Sequence, residues 1–143
     1  MNAILMNVNI VPTTATHQSS LRVLKGKGGK FFIGKYKKSK LKDWIDEFKY
    51  KIRQFKPAFP LEGPIQAKIE FYFPYPKSIS KTKSQGESWK ITRPDLDNME
   101  KMIFDTLTEE GFMTDDSIIC SKVSVKKLSN NPRIFIQLTK IGD

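Results

Sequence analysis

The sequence contains one cysteine, Cys120, and one histidine, His17. One cysteine excludes an internal disulfide, which suits a reducing compartment such as the cytoplasm. We expect Cys120, within a predicted strand, to be a small buried apolar group. No apolar run approaches the roughly 20 residues that a membrane-spanning helix needs. The apolar first twelve residues contain no lysine or arginine and do not resemble a signal peptide. We therefore expect a cytoplasmic protein without a membrane partner.

Negative charge is absent from the first 42 residues, where nine lysines and arginines lie between Arg22 and Lys42. The whole chain carries a net charge of +10. A basic stretch without carboxylates attracts phosphates, and its binding to nucleic acid should depend strongly on salt. Membrane surfaces attract basic segments too, so charge alone does not identify the partner.

The hydrophobic patterning predicts one folded domain over residues 1–143, with an α/β (α+β) fold in which two main helices pack on a small mixed β-sheet. Apolar positions alternate where strands are expected, and they recur every three or four residues where helices are expected. The predicted elements are a strand over 2–11, a hairpin or a flexible basic loop over 21–24 and 30–33, a helix over 39–55, a strand over 65–72, a polar basic loop over about 77–92, a helix over 94–109, and strands over 118–125 and 134–138.

The segment around Asp95 and Asp97 contains the candidate catalytic residues, two carboxylates and a lysine. Inside a regular helix these two side chains would point about 200° apart. They converge only if Asp95 is extended or caps the helix while Asp97 begins its first turn, which Pro94 favours. Lys101 lies one turn beyond Asp97 and is able to reach the same point.

A second acidic pair, Asp115 and Asp116, precedes the strand expected at 118–125. If the helix folds across the sheet, these carboxylates return to the helix start and form an all-oxygen site that suits Mg²⁺ or Mn²⁺ and not Zn²⁺. A purely structural alternative stays open. Aspartates at a helix start offset the helix dipole, Asp97 and Lys101 are spaced as an ordinary surface pair, and Asp115 and Asp116 are suited to capping a turn.

The run RPDLDNMEKMIFDTLTEEGFMTDDS, over residues 93–117, resembles the signature of the RusA family of Holliday junction resolvases. That signature has the form D-L-D-N-x-x-K, then D-x-L, then D-D before a strand, with matching separations. Such a multi-part match is more specific than an isolated D-x-D pair. One departure is Pro94, at a position where family members often have a basic residue; here Arg93 stands one position earlier.

The resemblance implies that Asp95, Asp97 and Asp116 are catalytic carboxylates that bind Mg²⁺, with Mn²⁺ as a possible substitute. It implies that Lys101 is the catalytic lysine, placed to steady the scissile phosphate or the attacking water. It also implies a homodimer that makes paired, symmetric nicks in four-way junctions and other branched DNA during recombination and repair, in a bacterial or phage-infected cell. No small-molecule cofactor is expected.

Basic residues along the chain are the candidate DNA-binding surface. The aromatic residues among them, Phe31 and Phe32, are candidates either for stacking on bases or for strand core. Trp89, in the predicted loop, either contacts DNA or packs beneath the loop. The candidate DNA-binding residues are Lys25, Lys27, Lys30, Lys35, Lys37, Lys38, Lys40, Lys81, Lys83, Lys90 and Arg93.

Two functions other than a resolvase are also compatible with the sequence. The first is a non-catalytic branched-DNA-binding accessory protein on the same scaffold. The second is a basic adaptor for an acidic protein partner. The complete D-L-D-N-x-x-K and D-D elements favour catalysis, because carboxylates oppose phosphate binding unless a metal ion is present.

Overall fold

The computed structural model describes residues 2–15, 21–25, 31–35, 38–79 and 84–142, with the backbone alone for 21–25, 31–35 and 38–39. No helix in these ranges is long and apolar enough to cross a membrane. Single 3₁₀ turns at Arg53–Phe55 and Asp116–Ile118 supplement the main elements. These are β1 (Ala3–Val8), β2 (Leu21–Lys25), β3 (Phe31–Lys35), α1 (Lys38–Ile52), β4 (Ile65–Phe73), β5 (Glu87–Trp89), α2 (Leu96–Glu109), β6 (Ile119–Ser129) and β7 (Arg133–Lys140).

Five strands form one mixed sheet in the order β1-β7-β4-β6-β5. β4 and β6 are parallel because the chain between them crosses back through α2, whereas the other neighbours in the sheet are antiparallel. β2 and β3 pair separately as an antiparallel hairpin, which is one of the two alternatives that the sequence offers for this segment. The α+β fold with two main helices on a mixed sheet is confirmed.

The core lies where alternate residues of β1, β4 and β7 meet the apolar faces of the two helices. Ile65, Ala67 and Ile69 on β4 are fully buried, whereas Gln66 and Lys68 between them are exposed. This is the period of two that a strand with one covered face requires. Trp44 on α1 is partly buried against this core, and its ring stacks on Phe48 with centroids 5.2 Å apart.

Two expectations from the sequence are wrong. The segment 77–92 is not all loop, because Glu87, Ser88 and Trp89 pair with the end of β6 as β5. Their three side chains are exposed, so the sequence of this strand shows no alternation of buried apolar residues that would predict it. Cys120 is exposed and not buried. β5 flanks β6 only along residues 127–129, which leaves Cys120 on an uncovered part of β6.

Truncating the core aromatic of α1 should destabilise the fold. Phe48 is fully buried, so Phe48→Ala should lower the free energy of unfolding by about 3–5 kcal/mol through lost burial and the cavity it leaves. Tyr50→Ala on the same helix, where the side chain is 74% exposed, should change it by no more than about 0.5 kcal/mol. Urea denaturation followed by circular dichroism measures both, and equal losses would contradict the assigned face of α1.

Candidate active site

Asp95 and Asp97 lie at the exposed start of α2. Asp95 is the N-cap residue, with an extended backbone (φ −74°, ψ 144°), and its carboxylate makes no capping hydrogen bond. Its backbone carbonyl instead accepts from the Met99 amide at 3.2 Å. Asp97 is in the first turn. This is the local geometry that the sequence requires for the two carboxylates to converge, and both residues are exposed to solvent.

The opposite face of α2 explains why these carboxylates point outward. Met99, Ile103 and Leu107 are buried in the core, where they anchor the helix on the sheet. Helical periodicity then leaves Asp97 and Lys101 on the solvent side. Lys101 Nζ lies 3.4 Å from Asp105 Oδ2, one turn further along, and its side chain is 71% exposed. Its role toward the scissile phosphate stays a prediction.

Lys126, on β6, holds the segment that leads into α2. Its Nζ donates to the carbonyl oxygens of Thr92 (2.6 Å) and Pro94 (2.8 Å). The backbone N–H of Lys90 donates to the Lys126 carbonyl at 3.2 Å, and Lys90 Nζ donates to Thr92 Oγ1 at 2.8 Å. Burial, together with the charge of Lys126, lowers the pKa of Lys90. The residue immediately before Asp95 is therefore fixed to the sheet.

A second lysine of β6 reaches the middle of α2. Lys122 Nζ lies 2.6 Å from Glu100 Oε2, and Glu100 is largely buried. Lys122 and Lys126 are four residues apart on a strand, so they face the same side. Sequence reasoning did not identify Lys122, Lys126 or Glu100 as part of the site. The available signal was two lysines at an even spacing on an otherwise half-buried strand.

Asp115 and Asp116 follow the end of α2. The Asp115 carboxylate accepts from the Ser117 backbone N–H at 3.2 Å. Hydrogen bonding to the side chain of Ser117, and then to its backbone N–H, lowers the pKa of Asp115. Asp115 thus caps the 3₁₀ turn, as the structural alternative predicts. Asp116 is exposed. It lines a groove of about 300 Å³ together with Phe104, Ile119, Cys120, Ser121 and Lys122.

The two acidic elements lie at different heights along α2. Phe104, beside Asp116, is seven residues after Asp97, or about 10 Å along the helix axis. Within the described ranges, no three Asp, Glu, His or Cys side chains are close enough together to hold one metal ion. The joint site of Asp95, Asp97 and Asp116 stays a prediction. Its donor chemistry, carboxylate oxygens at an exposed helix start, suits a hard divalent cation.

The candidate DNA-binding residues divide by what the structure describes. Lys40 and Arg93 are exposed, whereas Lys90 is half-buried with its Nζ 4.8 Å from the centroid of Phe73. The backbones of Lys25 and Phe31 pair with one another in the β2–β3 hairpin. For Lys25, Lys35, Lys38, Phe31 and Phe32 only the backbone is described, and Lys27, Lys30, Lys37, Lys81 and Lys83 lie outside the described residues.

Comparison with known proteins assigns this sequence to a family. The family model described as Endodeoxyribonuclease RusA matches residues 11–139. The chain is 30% identical over 95 residues to the uncharacterised protein YqaN of Bacillus subtilis, in a match covering 62% of this chain and 66% of YqaN. It is 30% identical over 86 residues to the crossover junction endodeoxyribonuclease rusA of Lactococcus phage r1t (60% of this chain, 62% of that protein).

A third relative is the crossover junction endodeoxyribonuclease RusA of Escherichia coli O139:H28, with 36% identity over 52 residues (36% of this chain, 43% of that protein). The chain thus matches about two thirds or less of the length of each of these curated relatives. The family model, in contrast, spans nearly the whole sequence and includes the acidic start of α2. The chain belongs to the RusA endodeoxyribonuclease family.

Proposed function

We propose that this protein is a divalent-metal-dependent endodeoxyribonuclease that resolves Holliday junctions and related branched DNA by paired nicks. The observation that carries this proposal is the start of α2, where the D-L-D-N segment presents Asp95 in an extended N-cap whose carboxylate is not used for capping. Membership of the RusA family and the names of two relatives support the same activity. We place the activity in the cytoplasm of a bacterial or phage-infected cell.

In this proposal Asp95, Asp97 and Asp116 hold Mg²⁺, or Mn²⁺ in its place. A divalent cation in such a site lowers the pKa of water and offsets charge that develops on a phosphodiester. Exposure of all three carboxylates supports the assignment, because a metal ion and a DNA strand must both reach them. The distance along α2 between Asp97 and the groove beside Asp116 means that side chains must move to complete the site.

Lys101 is the group proposed to contact the reacting phosphate. In the described structure it pairs with Asp105 at 3.4 Å, on a largely exposed side chain. An exposed pair of this kind contributes at most about 1 kcal/mol, so a phosphate can displace the Asp105 carboxylate at little cost. The released ammonium lies one turn beyond Asp97 and stabilises negative charge there as the transition state forms.

Affinity for DNA is proposed to come from the cationic surface. The net charge of +10 supports binding through the phosphate backbone, which by itself carries no sequence information. A homodimer is proposed as well, because a twofold protein matches the near-twofold symmetry of a four-way junction and presents one site to each of two equivalent strands.

Neutralising Asp97 tests the catalytic assignment. Asp97→Asn should reduce cleavage of a synthetic four-way junction by roughly 10³-fold or more, because a metal-binding charge is lost. Junction binding should be unchanged or tighter, since one charge that repels phosphate is removed. Gel-based cleavage assays in Mg²⁺, in Mn²⁺ and in EDTA measure the first effect, and binding in EDTA measures the second.

Glu109→Gln is the matched control for Asp97→Asn. It makes the same charge change at an exposed position near the other end of α2, where Glu109 pairs with Lys49 at 3.0 Å. This variant should cleave like the wild-type protein. A wild-type protein that binds the junction but cuts it in neither metal would replace the nuclease proposal with the non-catalytic accessory function.

Removing the ammonium of Lys126 tests whether the segment before Asp95 must be held in place. Lys126→Met should raise the metal concentration needed for half-maximal cleavage about 10-fold, because supporting contacts of metal ligands typically contribute this much. Lys126→Arg, which keeps the charged donors, should recover most of the loss. Amide hydrogen exchange at residues 92–99 should be faster in Lys126→Met without any metal present.

Lys68→Met provides the control for Lys126→Met. Lys68 is an exposed lysine of the neighbouring strand β4, and its Nζ lies 4.0 Å from Glu70 Oε2. It should alter neither the metal dependence nor the exchange of residues 92–99. Normal exchange of that segment in Lys126→Met would show that the two carbonyl contacts do not hold it.

A further inference from the structure

Two large apolar side chains project into solvent just before the acidic start of α2. Trp89 is 65% exposed and Ile91 is 92% exposed. Lys90 between them is half-buried and turned the other way, toward Phe73 and Thr92. In an extended chain alternate residues face opposite sides, so Trp89 and Ile91 share the outward side of this segment. An indole this exposed is not packed beneath the described part of segment 77–92, which argues against one of the two alternatives that the sequence offers for Trp89.

The position of Trp89 is fixed by the sheet. Trp89 pairs with Lys127 in the register of β5 and β6, and Lys127 Nζ lies 4.7 Å from the centroid of the indole ring. A tryptophan is most often buried, and a large apolar group held in solvent next to polar ones marks a binding surface. The sheet therefore presents the indole at a defined place on the surface.

Cations surround this patch. Lys127 Nζ and the Arg133 guanidinium lie 3.8 and 3.5 Å from the Glu87 carboxylate, so these two cations share one ion-pair partner. Lys126, next to Lys127 on β6, faces the other side of the sheet, toward the start of α2, and the exposed Arg93 follows Ile91 by two residues. Phosphates complement such a surface, and an aromatic ring among cations is the arrangement on which proteins stack nucleic-acid bases.

The patch is physically joined to the proposed catalytic residues. Asp95 follows Trp89 by six residues, at most about 20 Å of extended chain. Lys127 Nζ lies over the indole ring, and the neighbouring Lys126 donates hydrogen bonds to the carbonyls of Thr92 and Pro94. Adjacent residues of β6 thus position both the aromatic patch and the start of α2.

We propose that Trp89, flanked by Ile91, stacks on the base pair exposed at a DNA branch point and so selects branched over continuous DNA. In a continuous duplex each base pair is covered by the next, and no base face is available to an indole. Where arms separate at a junction, a terminal pair is open to stacking. This inference rests on the proposed function for its substrate, but stacking is measured by binding and does not require cleavage.

Binding in EDTA to a four-way junction and to a continuous duplex of the same sequence tests the proposal. Trp89→Ala should weaken junction binding by about 5- to 150-fold, the range for losing one base stack, while duplex binding changes less than about 2-fold. Trp89→Phe, which keeps an aromatic face, should recover most of the affinity. Ile91→Ser should have a smaller effect in the same direction.

Phe59→Ala is the matched control. Phe59 is 83% exposed, but it lies beside Lys140, near the opposite end of β4 from β5. It should bind both DNAs like the wild-type protein. An equal loss on duplex and junction for Trp89→Ala, or no loss on either, would overturn the proposal.

Intrinsic fluorescence gives an independent readout, because the chain has only two tryptophans. Trp44 donates its indole N–H to the Val11 carbonyl at 2.8 Å and is stacked on Phe48, so the Trp89→Phe variant reports Trp44 alone. The signal of Trp89, obtained by difference, should be quenched by the junction and not by the duplex.

A second copy of the chain is the competing occupant of this surface. If Trp89 emission without DNA shifts to the blue as protein concentration rises, the indole is covered by self-association and the proposal fails.

Wild-type cleavage is run in parallel. Selective loss of junction binding in Trp89→Ala together with an inactive wild type would support the stacking role and reject the nuclease, whereas the reverse result would reject the stacking role alone.

Discussion

The ammonium group of Lys126 lies between the sheet and the acidic end of α2. It donates to the carbonyls of Thr92 and Pro94 at 2.6 and 2.8 Å, and hydrogen bonds from a charged donor are stronger than neutral ones. Lys122 adds a second contact from the same strand, to the largely buried Glu100. These contacts align α2 against β6, and the outward direction of Asp95 and Asp97 depends on that alignment.

Acidic residues at the start of α2 stand out in a strongly basic protein. A cationic surface and exposed carboxylates have opposite effects on a phosphate backbone, and under the proposed function a divalent cation bound by the carboxylates reconciles them. About two turns of α2 separate Asp97 from Phe104, which lines the groove beside Asp116, and Glu100, the partner of Lys122, lies between them in the sequence. If the proposed metal site forms, metal and DNA contribute to assembling it as well as occupying it.

The segment from β5 to α2 presents two exposed functional groups within a few residues. Its first part presents an exposed indole and its last part presents an aspartate, and lysines of β6 contact both. Such a short, held connection gives a direct route by which contact with DNA structure can set the position of the carboxylates. The network also explains why Lys90, a candidate for DNA contact, is half-buried: its ammonium stabilises Thr92 in this segment.

The sequence alone determined the α+β fold and its two main helices, and Pro94 favoured the local geometry of Asp95 and Asp97, because periodicity and helix-start chemistry are local properties. It left residues 21–33 open between a hairpin and a flexible basic loop, and the pairing of β2 with β3 decided for the hairpin. It also carried the family signature over residues 93–117. It did not reveal β5, whose exposed residues lack alternation, or the exposure of Cys120, which depends on how short β5 is. Only the tertiary structure decided that Lys122 and Lys126 support α2 and that Trp89 faces solvent. Those facts arise from pairing and packing between segments some 20 to 40 residues apart, and no local pattern encodes such distances.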